Sequence, residues 1–155
     1  MKKTNKGFSL VELIIVIAIM AILAAAIAPA LIRYIDKSRR ADDVTAAGTL
    51  LTAVQTALAD EDCYSEIAAV KPSGSASKVI VTVTNQKTVS AVGTNLKSEI
   101  ESSIGSGLPI KYTKDKANSY SVAVDGNDLL SVYIGKSGGS VTEWEIQPVT
   151  AKKYK

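Results

Sequence analysis

An uninterrupted apolar run near the N-terminus constrains this chain more than any other feature. Residues 13–32 contain no charged side chain and no side chain that forms hydrogen bonds. A helix of this length is about 30 Å long, which matches the hydrocarbon core of a bilayer. A helix in a soluble core is rarely apolar on every face. The sequence therefore predicts that this segment inserts into a membrane at some stage.

Charged residues are distributed unevenly around this run. Glu12 is the only charged residue within 8–32, although a carboxylate near the centre of a membrane costs about 2.5–3.5 kcal/mol and less at the interface. The formal charge of +3 equals that of the three lysines in residues 1–7, so the rest of the chain is formally neutral. The overall charge therefore gives no indication of nucleic-acid binding, which stays open.

Two simple interpretations explain the apolar run only in part. A cleaved secretory signal could end at Ala26-Ile27-Ala28, but the run exceeds the usual core of roughly 7–15 residues and Pro29 would follow the cut. A plain membrane anchor for an exported domain explains the hydrophobicity. It does not explain why Glu12 is kept, or why Gly7 precedes Phe8.

A third interpretation accounts for these residues. The segment Gly7-Phe8-Ser9-Leu10-Val11-Glu12, followed by an apolar helix, resembles the signature of type IV prepilins. The similarity covers residues 6–59, and Pro29 lies where such helices commonly have a proline. The resemblance implies a pilin-like α+β fold and a structural role rather than an enzymatic one.

The resemblance also implies how the chain is processed and assembled. A prepilin peptidase would remove the basic leader, residues 1–7, by cutting between Gly7 and Phe8, and would methylate the new amine of Phe8. The precursor would cross the cell membrane once. A membrane assembly platform would then polymerise it with other copies into a cell-surface pilus. A pseudopilin of a type II secretion or DNA-uptake system is the alternative with the same N-terminus.

Glu12 has two possible roles in the sequence. Ser9-x-x-Glu12 matches a capping box, which satisfies free amides at the start of a helix. Alternatively, its carboxylate could pair with the free amine of Phe8 in a neighbouring subunit and so set the axial register of assembly. Pro29 lacks an amide hydrogen and predicts a kink or loosening of the helix.

The periodicity predicts that one helix runs over residues 9–59. Residues 8–35 would form its membrane or filament-core part, and residues 36–59 an amphipathic continuation. Asp43 is assigned to the polar face of this continuation. The spacing predicts an apolar stripe on the other face that comprises Val44, Ala47, Leu51, Val54 and Leu58.

Residues 60–155 are predicted to form a β-rich globular head. The acidic residues 60–62 would end the long helix, because negative charge opposes the dipole at a helix C-terminus. A short helix is predicted over residues 95–104, and turns at 125–128 and 136–140. β-Branched and aromatic residues predict strands at 78–84, 110–113, 120–124, 130–134 and 141–146. An antiparallel sheet packed on the helix is the simplest arrangement.

The composition does not indicate catalytic chemistry. The chain has no histidine and one cysteine, Cys63, and lacks a phosphate-binding loop. We therefore predict no enzyme, no cofactor and no metal site, and interpret Cys63 as a small buried or incidental residue. Many type IV pilins close their C-terminal region with a disulfide, which a single cysteine cannot form. The resemblance is thus to disulfide-free pilins, such as those of Gram-positive bacteria, or to a pseudopilin.

Overall fold

The computed structural model describes residues 7–74, 76–84, 88–105, 107–112, 117–135, 144–148, 150–151 and 154. The chain divides into two compact units, Met1–Lys37 and Ser38–Lys155. Helix α1 (Leu10–Ala57) contributes its first part to one unit and its second part to the other. The predicted long helix is confirmed, and its C-terminus lies two residues before the predicted one.

The second unit, called the head below, combines helices with an antiparallel sheet. The strand order in the sheet is β2-β1-β3-β4-β5, and each neighbouring pair is antiparallel. The described elements after α1 are α2 (Glu61–Ala68), β1 (Ser77–Thr84), β2 (Val89–Ala91), α3 (Thr94–Ile104), β3 (Ser119–Asp125), β4 (Leu130–Gly135) and β5 (Trp144–Gln147). This architecture confirms the predicted α+β class, a long apolar N-terminal helix with a small antiparallel sheet.

The hairpin between β3 and β4 follows the predicted turn chemistry. Asp125 Oδ1 accepts hydrogen bonds from the amides of Asn127 and Leu129, both at 2.8 Å. Such bonds from an aspartate to amides further along the chain stabilise tight turns. Asp128 has a φ of 61°, a left-handed conformation that Asp tolerates better than most residues. The turn at 125–128 is therefore confirmed.

The head packs its core against one face of α1. Leu50, Val54 and Ala57 on this face are fully buried and join the strands in one apolar cluster. The predicted stripe is displaced from the buried face, because Val44, Leu51 and Leu58 are only partly buried. Asp43, which was assigned to the polar face, has no exposed surface, so that assignment is wrong. Its carboxylate accepts hydrogen bonds inside the head, which makes burial possible.

The strand predicted at 110–113 is wrong over Ile110–Tyr112. These residues lie outside the sheet, because the amides of Lys111 and Tyr112 donate to the Asp43 carboxylate instead of to a strand. Thr113, residues 141–143 and the loop predicted at 136–140 lie outside the described residues.

Two short elements were not predicted. The acidic residues 60–62 do follow the end of α1, but they also begin α2. Asp60 Oδ1 caps α2 by accepting from the amides of Asp62 at 2.9 Å and Cys63 at 3.3 Å. Strand β2 has three residues, which is too short for a recognisable alternation.

Candidate functional site

The first described residues precede α1 and are exposed. The side chain of Phe8 is 89% exposed. A Cβ atom added to Gly7 would meet no atom within 4 Å. None of the described residues therefore requires glycine at position 7.

Glu12 forms the capping box that Ser9 and Glu12 predict. Its Oε2 accepts a hydrogen bond from the Ser9 amide at 2.9 Å, while Ser9 Oγ accepts from the Val11 amide at 3.3 Å. Both bonds lie at the surface, and Glu12 is exposed. A carboxylate has two oxygens with about four acceptor positions in total. The cap therefore leaves Glu12 able to accept a further donor.

The apolar residues of the first unit are exposed along the whole N-terminal part of α1. Large apolar side chains from Leu10 to Ile32 keep 47–74% of their surface. The helix contains a window that is long and apolar enough to cross a membrane, judged by length and composition. Monomeric soluble proteins rarely expose a continuous apolar surface of this size. Lipid or other protein surfaces have to cover these side chains.

Pro29 lies inside α1, and helical structure is assigned on both sides of it. Its predicted effect on the direction of the helix stays a prediction. Gly7, Phe8 and Glu12 are brought close together because they are neighbours in sequence, whereas Pro29 is far along the same helix.

A buried polar cluster in the head was not foreseen from the sequence. Asp43 accepts hydrogen bonds from the Lys111 amide at 2.7 Å and the Tyr112 amide at 3.1 Å. The Tyr154 hydroxyl donates to its Oδ2 at 2.6 Å, and the Tyr120 hydroxyl lies 3.5 Å from its Oδ1. The sequence did contain the residues of this cluster. Asp43 lies in the amphipathic part of α1, and tyrosines occur at positions 112, 120 and 154.

Aromatic and charged neighbours complete this cluster. Burial, together with the negative charge of Asp43, raises the pKa of the Tyr120 and Tyr154 hydroxyls, so both stay protonated and act as donors. The Arg40 guanidinium lies over the ring of Tyr112, 4.3 Å from its centre, and donates to the Tyr112 hydroxyl at 2.7 Å. Such an arrangement holds side chains in place, and it offers no exposed reactive group.

The remaining features of the head also favour a structural role. Burial is the largest cause that raises the pKa of the Cys63 thiol, and the Asp60 carboxylate adds to it, which disfavours the nucleophilic thiolate. Among the described residues, no group of three or more His, Cys, Asp or Glu side chains could hold a metal ion. A groove of about 430 Å³ runs along α1 and is mostly apolar, with Leu51, Tyr64 and Leu129 in its walls.

Comparison with known proteins identifies the N-terminal segment. Residues 2–28 match the family model described as the prokaryotic N-terminal methylation motif. A type IV major fimbrial protein FimA of Dichelobacter nodosus is 41% identical over 68 residues, which is 41% of this chain and 44% of that protein. Another FimA of the same species is 44% identical over 63 residues, which is 41% of this chain and 39% of that protein.

A third relative comes from a different organism. The type IV major pilin protein PilA of Myxococcus xanthus is 39% identical over 64 residues, which is 41% of this chain and 29% of PilA. The chain thus matches less than half the length of each of these relatives. No solved structure matches this chain at a significant level.

Proposed function

We propose that this chain, which has the N-terminal segment of the type IV pilin family, is a structural subunit of a type IV pilus. A precursor would be held in the cell membrane by α1, trimmed after Gly7, and polymerised through α1 into a surface filament. The exposed apolar surface of α1 between Leu10 and Ile32 is the observation that carries this proposal. It requires lipid in the precursor and other copies of α1 in the filament.

Processing at the Gly7–Phe8 bond is supported by the local structure. A Cβ atom at Gly7 would meet no described atom within 4 Å, and Phe8 is almost fully exposed before the first turn of α1. Glycine has no side chain that could obstruct a narrow peptidase site, and its backbone adopts conformations that other residues avoid. The prepilin peptidase would cut this bond and methylate the amine of Phe8.

Glu12 would then fix the register of assembly. Cutting at Phe8 creates an amine that is largely protonated near neutral pH. Within a bundle of parallel helices, the exposed carboxylate of Glu12 would meet the Phe8 amine of the neighbouring subunit. The pair would lie among apolar side chains, where two opposite charges attract more strongly than in water. The capping bond to Ser9 and the pairing can coexist, because each uses a different acceptor position.

The head part of α1 also has a surface suited to packing against other copies. No charged residue occurs from Val44 to Ala59. On the exposed face, Thr49 and Thr52 donate their hydroxyl hydrogens to backbone carbonyls four residues earlier, at 3.2 and 3.0 Å. Thr45 and Thr56 do the same. The face is therefore uncharged, and these hydroxyl hydrogens are already bonded within the helix.

The mass of the mature protein is the most direct test of this function. The protein would be collected from sheared filaments, from cell membranes and from the medium, and its intact mass measured by mass spectrometry. We expect filaments whose chain starts at Phe8 and has one added methyl group. Protein found only in membranes and starting at Met1 would indicate a membrane-anchored domain that never polymerises, and protein in the medium starting at Pro29 a secreted protein. Either result would overturn the proposal.

Replacing Glu12 separates its two roles. Glu12→Gln keeps an amide oxygen that can cap the Ser9 amide but removes the charge, because Gln also serves in capping boxes. We expect Glu12→Gln to be trimmed after Gly7 but to yield few or no filaments in electron micrographs. Glu12→Ala should also be trimmed after Gly7 and yield few or no filaments. Normal filaments from Glu12→Gln together with loss in Glu12→Ala would restrict Glu12 to the capping role.

Filament length distinguishes a pilus from a pseudopilus, which shares this N-terminus. Long filaments that extend from the cells and contain this chain as their main component are expected. Only short assemblies confined to the cell envelope would favour a pseudopilin.

A further inference from the structure

The polypeptide after β5 returns to α1 and is held there. We call the described residues of this segment, Pro148, Thr150, Ala151 and Tyr154, the C-terminal strap. The Ala151 amide donates to the Glu145 carbonyl at 2.8 Å, and the Tyr154 amide donates to the Ala151 carbonyl at 2.9 Å. Ala151 is thus hydrogen-bonded back to β5, and Tyr154 to Ala151.

The side chain of Tyr154 is the point at which the strap enters the core. It is 1% exposed. Its ring lies edge-on to the ring of Tyr112, with 6.2 Å between the centres, and 6.2 Å from the ring of Trp144. Its hydroxyl donates to Asp43 Oδ2 at 2.6 Å, a short bond of the charge-assisted kind. Residues 43 and 154 are 111 positions apart in the chain.

Asp43 binds a second segment besides the strap. The amides of Lys111 and Tyr112 donate to its two oxygens, so one carboxylate connects α1 with residues 111–112 and with Tyr154. With a single cysteine, the chain cannot use an intrachain disulfide for such a long-range connection. A connection between distant segments restricts the opening of the folded state whether it is covalent or not, although a hydrogen bond is reversible.

We propose that Asp43 is the fastening point of the C-terminal strap, and that its bond to Tyr154 closes the head where no disulfide can. Among the described residues of the strap, Tyr154 is the one whose side chain hydrogen-bonds to α1, so losing that bond lets the strap open as a local unit. The proposal concerns the head alone and is independent of whether the chain forms a pilus.

Hydrogen exchange of the full chain in detergent micelles tests this proposal. Tyr154→Phe keeps the ring and removes the hydroxyl. Removing a hydrogen bond to a charged group is expected to favour local opening by about 10- to 100-fold. We therefore expect the Ala151 amide to exchange faster by about that factor, while amides of α3 that exchange through their own local opening keep their rates. The emission of Trp144, the only tryptophan, should shift to longer wavelength as the strap exposes it.

Matched variants complete the experiment. Asp43→Asn should accelerate exchange in both the strap and residues 111–112. Asp42→Asn, at a surface position beside it that pairs with Lys111, should leave the strap unchanged. If Asp43→Asn fails to fold, Tyr154→Phe alone decides. An unchanged rate at Ala151 in Tyr154→Phe, or exchange of Ala151 with the same free energy of opening as the buried amides of β3, would show that the bond does not fasten a local strap.

Discussion

The two parts of α1 use their apolar residues in opposite ways. Between Leu10 and Ile32 the large apolar side chains keep about half or more of their surface. In the head part, Leu50, Val54 and Ala57 lose all of theirs to the core. The first part therefore depends on surfaces that other molecules provide, whereas the second is stabilised within the chain. Apolar periodicity alone does not distinguish a residue that folds the monomer from one that joins monomers.

The carboxylates of Glu12 and Asp43, one in each part of α1, show the same difference in environment. Glu12 is exposed and accepts a hydrogen bond from the nearby Ser9 amide. Asp43 is fully buried and accepts from amides and hydroxyls of three other segments. The pairing proposed for Glu12 requires an accessible carboxylate, whereas a carboxylate buried in the monomer, such as that of Asp43, has to accept hydrogen bonds there.

The largest expected effect compares two leucines on the same helix. Leu50→Ala should lower the free energy of unfolding of the head by about 2–5 kcal/mol, because Leu50 is fully buried. Leu23→Ala should leave it almost unchanged, because Leu23 is 56% exposed. Denaturant unfolding of the full chain in micelles, followed through Trp144, measures both. An equal loss of unfolding free energy in the two variants would contradict the proposed difference between the two parts of α1.

A smaller loss is expected where two turns of the head touch. The Gly126 amide donates to the Gly74 carbonyl at 2.9 Å, and a Cβ atom at position 126 would overlap the backbone of Gly74. Gly126→Ala should therefore destabilise the head by about 1–3 kcal/mol.

Gly48→Ala is the matched control for Gly126→Ala. Its added Cβ would lie 3.8 Å from Gln147 Nε2, an ordinary contact, and alanine favours a helix. We expect unchanged or slightly higher stability in the same unfolding experiment. A loss of similar size in both variants would remove the close turn contact as the explanation.

A substitution at the junction between α2 and α3 should lower the stability of the head by less. Glu66 on α2 accepts hydrogen bonds from the amides of Asn95 and Leu96 at the start of α3, at 3.1 and 3.0 Å. A Cβ at Gly93 would occupy the position of the Glu66 side chain. Gly93→Ala should displace this cap and lower the Tm by roughly 4 °C, in the range for one helix cap. In a Glu66→Ala background the same change should have little further effect.

The smallest expected effect is a loss of head stability at low pH. The amides of Leu96 and Asn95 lower the pKa of Glu66, and the Leu129 amide, with that of Asn127, lowers the pKa of Asp125. A lowered pKa in the folded state stabilises the head above the ordinary carboxyl pKa of about 4. This contribution is lost as the pH falls through the folded-state pKa.

Thermal unfolding between about pH 6 and pH 3 tests this dependence. The Tm should fall toward pH 3, and the double variant Glu66→Gln with Asp125→Asn should show a shallower fall. Glu99→Gln, which leaves both sets of bonds in place, is the control. If the Tm of the double variant falls with pH as steeply as that of the natural sequence, the carboxylates of Glu66 and Asp125 are not the cause of the fall.

The sequence predicted the elements whose evidence is local. The uninterrupted apolar run, the Ser9–Glu12 box and the 125–128 turn each lie within a few residues or repeat at short intervals. Asp43, Tyr112 and Tyr154 were missed as a cluster, because only the tertiary fold brings them together. The same reason explains the wrong strand at 110–112: its composition favours a strand, but its amides bond to a carboxylate 68 positions earlier.

The sheet of the head ends on one side in a very short strand, because β2 has three residues. An exposed edge offers free amides and carbonyls to any other strand, and short edges limit such unintended joining. This edge therefore gives crowded copies little opportunity for unintended strand pairing. In the filament proposed above, α1 would make the ordered contacts between copies, and the short β2 edge would help to keep concentrated heads from joining through their sheets.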